Sequence, residues 1–486
     1  MNSRGSGFFK SGLVRGAIAG LFGGLVFGLA LYKLGALPTI AGLVGTDDGK
    51  VGMVVHMIVA AIIGAGFGAF VWHQRAGIGE TIFWGLTYGV LWWFLGPLTL
   101  MPLWLKGMLA WDIPAAQAAF PSLIGHLFYG VSTALAFVLL QPERRGAKPS
   151  VGALLRGALA GLLGAWWLGD MLNAQGQLRT LWTTVAAQSN LVAWMGLLLI
   201  GLLAGMAFAL LYPRATDSSG ASLIRGIVYG FIWWVVGALT LLPSLGGGGW
   251  AWSVEEVRAS FGFFPGFLLF GVTLALSYHW LSVIVRVLFS DELVPRGEEG
   301  IGAEGLRALG RGALAGLFGG LVFTLVMIQI GFLSTVASLI GSTSSLAGLM
   351  VHLVIANLVG SSYGLLFRRQ AYDIGSALGW GVSYGFFWWI LGPLTLMPIL
   401  LGTTPVWTVQ VAASLLPGLI GHLAYGAVLG IVFYLMEARY NPWWIPHEHV
   451  DALRVERRKE QVLTSAPALW VFVVAIALIV PIVLGK

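Results

Sequence analysis

The stretch WWFLGPLTLMP at residues 92–102 occurs again as WWILGPLTLMP at 388–398 and, more weakly, as WWVVGALTLLP at 233–243. The agreement extends well beyond these stretches. Adding 141 or 296 to a residue number in the first third of the chain gives the matching residue in the second or last third, so Tyr88 corresponds to Tyr229 and Tyr384. A constant offset over so long a segment indicates internal duplication.

The composition is that of a membrane protein. Apolar residues make up 58% of the chain and charged residues 10%, and the mean hydropathy is +0.86. A soluble domain carries about a quarter charged residues. Apolar runs long enough to cross ~30 Å of hydrocarbon as helices recur along the chain. In the first repeat we expect these spans at 13–33, 51–72, 81–101 and 115–140.

The predicted fold is therefore all-α and that of a polytopic integral membrane protein. Three tandem four-helix repeats and one C-terminal transmembrane helix give about 13 spans. Because each repeat has an even number of spans, the repeats are expected in parallel orientation, related by a pseudo-three-fold rotation. The predicted segments are the first repeat (1–145), a degenerate second repeat (146–290), the third repeat (291–437), a polar cytoplasmic linker (438–465) and the C-terminal helix (466–486).

The basic residues predict the orientation. With a cytoplasmic N-terminus, all basic residues face the cytoplasm except Lys33, Lys50, Lys106, Arg179, Arg258 and Lys486. This asymmetry is typical of a bacterial-type inner (plasma) membrane protein, here with its C-terminus outside. The net charge of +7 is thus explained by topology and does not indicate nucleic acid. The expected partners are the lipid bilayer and other membrane protein subunits.

Glycines at intervals of four predict close helix packing. The first span carries Gly16 and Gly20, and the second span carries Gly64 and Gly68. Small residues at this spacing let two backbones approach where lipid provides no hydrophobic driving force.

The opening stretch contains a predicted helix break. Pro97 has no amide hydrogen and clashes with the preceding turn, so we expect a kink after Gly96 and, likewise, between Gly392 and Pro393. The carbonyls freed near residues 93 and 94 need partners from neighbouring helices or from water. The middle copy has Ala238 instead of the proline and is expected to be straighter. Pro102 is expected to end the span.

Two pairs of histidines lie inside the spans. His56 and His126 are predicted at similar depth in the outer third of the membrane, and His352 and His422 repeat them. The second repeat has Leu197 and Phe267 instead. The histidines have three interpretations: a structural imidazole bonded to a neighbouring helix, an axial ligand of haem or a chlorophyll-type pigment, or a contact on a transport path.

The chain has no cysteine, which excludes disulfides and thiolate metal sites. It also has no phosphate-binding loop, nucleophile elbow or metalloprotease motif, so we expect no enzymatic activity. We predict a multi-pass subunit of a larger respiratory or photosynthetic-type assembly that holds haem, pigment, quinone or lipid near the histidines. The alternative is a channel or transporter for a small neutral or weakly acidic solute.

Overall fold

A computed structural model describes residues 3–72, 77–141, 149–181, 189–213, 218–289, 301–368, 370–371, 373–440 and 475–484. Every regular element in these ranges is helical, and twelve helices are long and apolar enough to cross a membrane. The chain is therefore a multi-pass membrane protein. The long helices are α1 (Ser3–Lys33), α2 (Gly49–Val71), α3 (Ile78–Leu95), α4 (Phe120–Leu139), α5 (Val151–Ala174), α6 (Asn190–Leu211), α7 (Ser219–Trp233), α8 (Phe264–Phe289), α9 (Ile301–Gln329), α10 (Ser345–Phe367), α11 (Ile374–Leu391) and α12 (Leu416–Tyr440).

The chain divides into two compact units. The first consists of Met1–Lys148, Ala251–Ala259 and Val473–Lys486, and the second of Pro149–Trp250 and Ser260–Phe472. The first unit thus contains α1–α4, and the second contains α5–α12. Unlike the sequence repeats, the first unit also includes a short segment from the second repeat and the C-terminal residues.

The helices pack in the same way in each group of four. The first helix contacts the second and the fourth, and the third contacts the fourth. At the α1–α2 contact, a Cβ atom added to Gly16 would lie 2.8 Å from Gly68 Cα, and one added to Gly20 would lie 2.7 Å from Gly64 Cα. Real Cβ atoms do not come this close, so only glycine allows this approach. The predicted role of the glycines is confirmed.

The third helix of each group continues into a π-helical turn. The turns span Gly96–Leu100, Trp234–Leu241 and Gly392–Leu396. In each turn a threonine Oγ1 donates a 2.8 Å hydrogen bond to the carbonyl five residues earlier; the pairs are Thr99 with Phe94, Thr240 with Val235, and Thr395 with Ile390. The prediction that the carbonyl of residue 94 takes its partner from a neighbouring helix or from water is wrong, because the partner is a threonine on the same helix.

The structure bears on two expectations about this stretch; that the middle copy is straighter stays a prediction, and that Pro102 ends the span is wrong. The middle copy, with Ala238, also leaves α-geometry, and its π-helical turn is the longest, at eight residues. The threonine bond is present there without the proline, so the proline is not required for the turn. Pro102 does not end the span. It lies in the first turn of the helix Met101–Lys106, where proline is tolerated, and the helix ends at Gly107 with φ 68°.

The C-terminal residues form a short buried helix in the first unit. It consists of a π-helical turn, Ala475–Ile479, and an α-helical turn, Val480–Val483. Gln117 Nε2 donates to Pro481 O at 3.0 Å, and Arg258 Nε donates to Ile482 O at 2.8 Å. Gln117 and Arg258 are matching residues at the offset of 141. The rest of the predicted thirteenth span, and the predicted linker beyond Tyr440, lie outside the described residues.

Candidate ligand site

A cavity of about 210 Å³ lies among the four helices of the third repeat. Phe323 on α9, His352 on α10 and His422 on α12 line it, together with Gly392 and Pro393 of the π-helical turn. The structure therefore brings the four predicted site residues of this repeat to one cavity. Phe323 was not among the predicted residues.

The rest of the cavity wall is almost entirely apolar. Two of its side chains, Ile330 and Leu400, have exposed fractions of 41% and 70%. The cavity therefore extends to the protein surface beside these residues. Other apolar residues of the wall are Met327, Val336, Leu396 and Met397.

His352 connects two helices. Its Nε2 atom lies 3.0 Å from the carbonyl oxygen of Gly320 on α9. In the first repeat, His56 Nε2 lies 2.9 Å from Gly24 O in the same arrangement. Because a carbonyl oxygen can only accept, Nε2 carries the hydrogen in both rings. This geometry is that of the first interpretation, an imidazole bonded to a neighbouring helix.

In His422 the other ring nitrogen, Nδ1, carries the hydrogen. Its Nδ1 atom donates to Gly418 O at 2.7 Å, one turn earlier on α12. A charged imidazolium is costly in such apolar surroundings, so the ring is neutral and Nε2 keeps a lone pair. A Cβ atom added to Gly392 would lie 3.9 Å from this Nε2. The lone pair of His422 therefore lies beside the π-helical turn.

The first repeat has the same ring geometry. His126 Nδ1 lies 2.7 Å from Ser122 O and 3.3 Å from Ser122 Oγ. Its Nε2 atom would lie 4.0 Å from a Cβ atom added to Gly96, next to Pro97. All four predicted residues of the first repeat thus correspond in position to those of the third.

A phenylalanine lies between the two histidines of each pair. The ring centroid of Phe323 is 5.2 Å from that of His352 and 4.6 Å from that of His422, with edge-to-face geometry in both contacts. Phe27 is 5.3 Å from His56 and 4.7 Å from His126. The phenylalanine ring thus contacts both imidazoles of each pair. Within the described residues, no group of three or more potential metal-ligating side chains occurs.

The sequence contained a signal for this phenylalanine. The second repeat has Leu168 at the position of Phe27 and Phe323, so all three members of the cluster differ there. Leu168 and Leu197 are fully packed, with exposed fractions of 1% and 4%, and that of Phe267 is 6%. Apolar side chains therefore stand in the second repeat at the positions of the two histidines and the phenylalanine.

Comparison with protein-family models, curated proteins and solved structures finds no match for this chain. Its function is therefore argued from the site. An apolar cavity with one imidazole lone pair is suited to binding an apolar molecule that has one polar group.

Proposed function

We propose that this protein is a non-enzymatic multi-pass membrane subunit that holds an apolar ligand in the cavity of the third repeat. The observation that carries the proposal is that His422 offers a lone pair in a cavity whose wall is otherwise almost entirely apolar. His352 supports the wall, because its hydrogen bond to Gly320 joins α10 to α9.

The size of the cavity favours the smaller of the predicted ligands. A cavity of ~150 Å³ can hold benzene, and pockets for drug-sized ligands begin at ~300 Å³. At about 210 Å³, this cavity suits a single ring or a short chain. By size alone, a single ring of a quinone or hydroquinone, or part of a lipid, fits this volume better than haem or a chlorophyll-type pigment.

The proposal includes the membrane arrangement expected from the sequence. Three parallel repeats are related by rotation, the N-terminus is cytoplasmic in a bacterial-type inner membrane, and other membrane subunits bind to the apolar surface. The glycine contacts and threonine bonds at matching residue numbers support the three-repeat part of this arrangement.

Purification in mild detergent tests the proposal. We expect a small apolar molecule to copurify with the wild-type protein, to be identified by mass spectrometry of an organic extract, and to be lost from the Gly418→Leu variant. Gly418 lines the cavity, and a leucine there would fill it. A detergent extract without such a molecule, or with equal amounts in both proteins, would contradict the proposal. An absorption spectrum of the same sample reports haem or pigment.

The alternative function is transport of a small neutral or weakly acidic solute. It is favoured by one observation, the π-helical turn Gly392–Leu396 beside the cavity, because interrupted helices line the binding sites of many transporters and π-helical turns are frequent at functional sites. Solute uptake into liposomes that falls on substitution of His422 by leucine would support transport and argue against a static ligand.

A further inference from the structure

We propose that the ligand of this cavity carries a hydroxyl group that donates a hydrogen bond to His422 Nε2. The ligand is then a lipid-soluble phenol, hydroquinone or alcohol, and not a ketone or a quinone. This inference rests on the proposed function, since it assumes that the cavity holds a ligand, and it adds the chemical class of that ligand.

The hydrogens of the polar side chains in the cavity wall are already used within the protein. Ser414 Oγ donates to Val411 O, and Tyr425 OH donates to Ala356 O, each at 2.8 Å. The Nε2 hydrogen of His352 goes to Gly320 O. These groups cannot donate to a ligand without losing a bond that they make within the protein.

Two further groups of the wall bear on which donors a ligand could meet. Pro393 has no amide hydrogen, although it lies directly at the cavity. The indole nitrogen of Trp388 is buried and has no hydrogen-bond partner among the described residues, so the tryptophan contributes the carbon atoms of its ring to the wall and its unpaired hydrogen lies behind them. Amides beyond the first turn of each helix donate within that helix.

His422 is the acceptor best placed for a ligand. The bond from Nδ1 to Gly418 O fixes the tautomer and the ring plane, as a second hydrogen bond does for many ligand-binding histidines. Within the described residues, no hydrogen bond to Nε2 is formed. A ketone or quinone oxygen at this position would bring two lone pairs together, whereas a hydroxyl group would pair the nitrogen. An unpaired polar atom in an apolar site is costly, so the hydroxyl is favoured.

The position of the exposed wall residues suggests how the rest of the ligand lies. The hydroxyl end is next to His422, and the apolar body extends toward Ile330 and Leu400, which reach the protein surface. Leu400 is the last residue of one candidate membrane span, and Ile330 directly follows another, so the cavity opens near one end of these spans. The expected ligand thus has a small hydroxylated head and an apolar tail that leaves the cavity there.

The experiment compares three probes of nearly equal size: a para-alkylphenol, its methyl ether and the matching alkyl phenyl ketone. Binding to the full-length protein in lipid nanodiscs is measured by titration calorimetry. Every protein carries His126→Leu, so that the matching histidine of the first repeat does not contribute. We expect the phenol to bind roughly tenfold more tightly than the ether or the ketone, as one hydrogen bond in an apolar site allows.

The decisive variant is His422→Leu. It should reduce affinity for the phenol roughly tenfold, to the level of the ether, and leave affinity for the ether nearly unchanged. Because each probe partitions equally into both sets of nanodiscs, the difference between the two proteins reports the site alone. The matched control is Phe267→Leu, which changes the same position of the second repeat and removes no acceptor. It should keep the preference for the phenol.

The outcomes separate the inference from the proposed function. Equal binding of phenol and ether, tighter binding of the ketone, or a preference for the phenol that survives His422→Leu would overturn the inference and leave the cavity as a ligand site. Absence of binding by all three probes would overturn the proposed function itself. The comparison of probes on the protein that retains His422 does not depend on how well the variant folds.

Discussion

The second and third repeats belong to the second unit, apart from Ala251–Ala259 of the second repeat. Their helices pack in the same way, but their interiors differ at one position. On α12, Gly418, His422 and Tyr425 line a cavity. The matching residues of the second repeat are Phe263, Phe267 and Phe270. They follow one another at the spacing of a single helix face. Three aromatic side chains thus occupy the place where the third repeat has a glycine, an imidazole and a phenol.

The scaffold itself does not depend on the histidines. Tyr229 OH donates to Ala204 O at 2.6 Å in the second repeat, and Tyr384 OH donates to Val359 O at 3.1 Å in the third. The π-helical turn also occurs in both repeats. The comparison of the two repeats therefore indicates that a few side chains on one helix face determine whether this fold has a cavity.

The largest effect on ligand binding is expected when a residue of the third-repeat cavity is replaced by the matching residue of the second repeat. A Cβ atom added to Gly418 meets no atom within 4 Å, so Gly418→Phe can place its ring in the cavity without displacing the backbone. We expect binding of the para-alkylphenol to become undetectable by calorimetry. Gly418→Ala is the matched control and should bind nearly as the wild type does. Retained affinity in Gly418→Phe would show that the ligand binds elsewhere.

The second prediction compares how much the free energy of unfolding falls when matching residues of the two repeats are replaced by alanine. Phe267→Ala should lower the free energy of unfolding by about 3 kcal/mol, because it leaves a cavity in a closed interior. His422→Ala should lower it by only about 1 kcal/mol, the value of one hydrogen bond, because a cavity is already present there. Reversible unfolding in mixed detergent micelles measures both values. If the two variants lose equal stability, the interiors of the two repeats do not differ as described.

A smaller effect on ligand affinity is expected when the ring of Phe323, which contacts both histidines, moves. A Cβ atom added to Gly421 would overlap the ring of Phe323, so Gly421→Ala forces Phe323 toward the cavity. Overpacking of this kind costs ~1–3 kcal/mol, and we expect affinity for the phenol to fall roughly tenfold. Gly266→Ala is the matched control, because it is the same substitution at the matching residue of the second repeat, where the added Cβ atom would lie 2.7 Å from Leu168 and not beside His422. Its affinity should change less.

The smallest effect concerns the threonine hydrogen bond of the π-helical turn, which the two repeats share. Thr240→Val and Thr395→Val each remove one hydroxyl bond to a carbonyl of the π-helical turn. Each should cost about 1 kcal/mol of stability, measured by the same unfolding experiment. A loss confined to Thr395→Val would mean that the turns are built differently, in spite of their matching bonds.

The spans and the glycine contacts could be predicted from the sequence because both are local patterns. Helix length follows from an apolar run, and the pairing of Gly16 with Gly68 follows from the spacing of small residues. The π-helical turn could not be predicted in this way. Pro97 suggested a break, but the bond from Thr240 to a carbonyl five residues earlier forms without a proline.

The site could be predicted only in part. The histidines stand out because imidazoles are rare in apolar spans, whereas Phe323 resembles any phenylalanine that contacts lipid. Which ring nitrogen of His422 keeps a lone pair depends on a carbonyl one turn earlier, and the spacing to Gly418 was visible in the sequence. Whether Nε2 of His352 also remains available depends on α9, a different helix, and only the structure reveals that contact.

The short C-terminal helix has a consequence for how the protein is made. Residues 475–484 are synthesised after all twelve long helices, yet Gln117 and Arg258 bind the carbonyls of Pro481 and Ile482 in the first unit. The first unit thus contains the first residues to be synthesised and some of the last described ones. A chain whose synthesis stops before residue 475 has the twelve described long helices but lacks the carbonyls that Gln117 and Arg258 bind in the first unit.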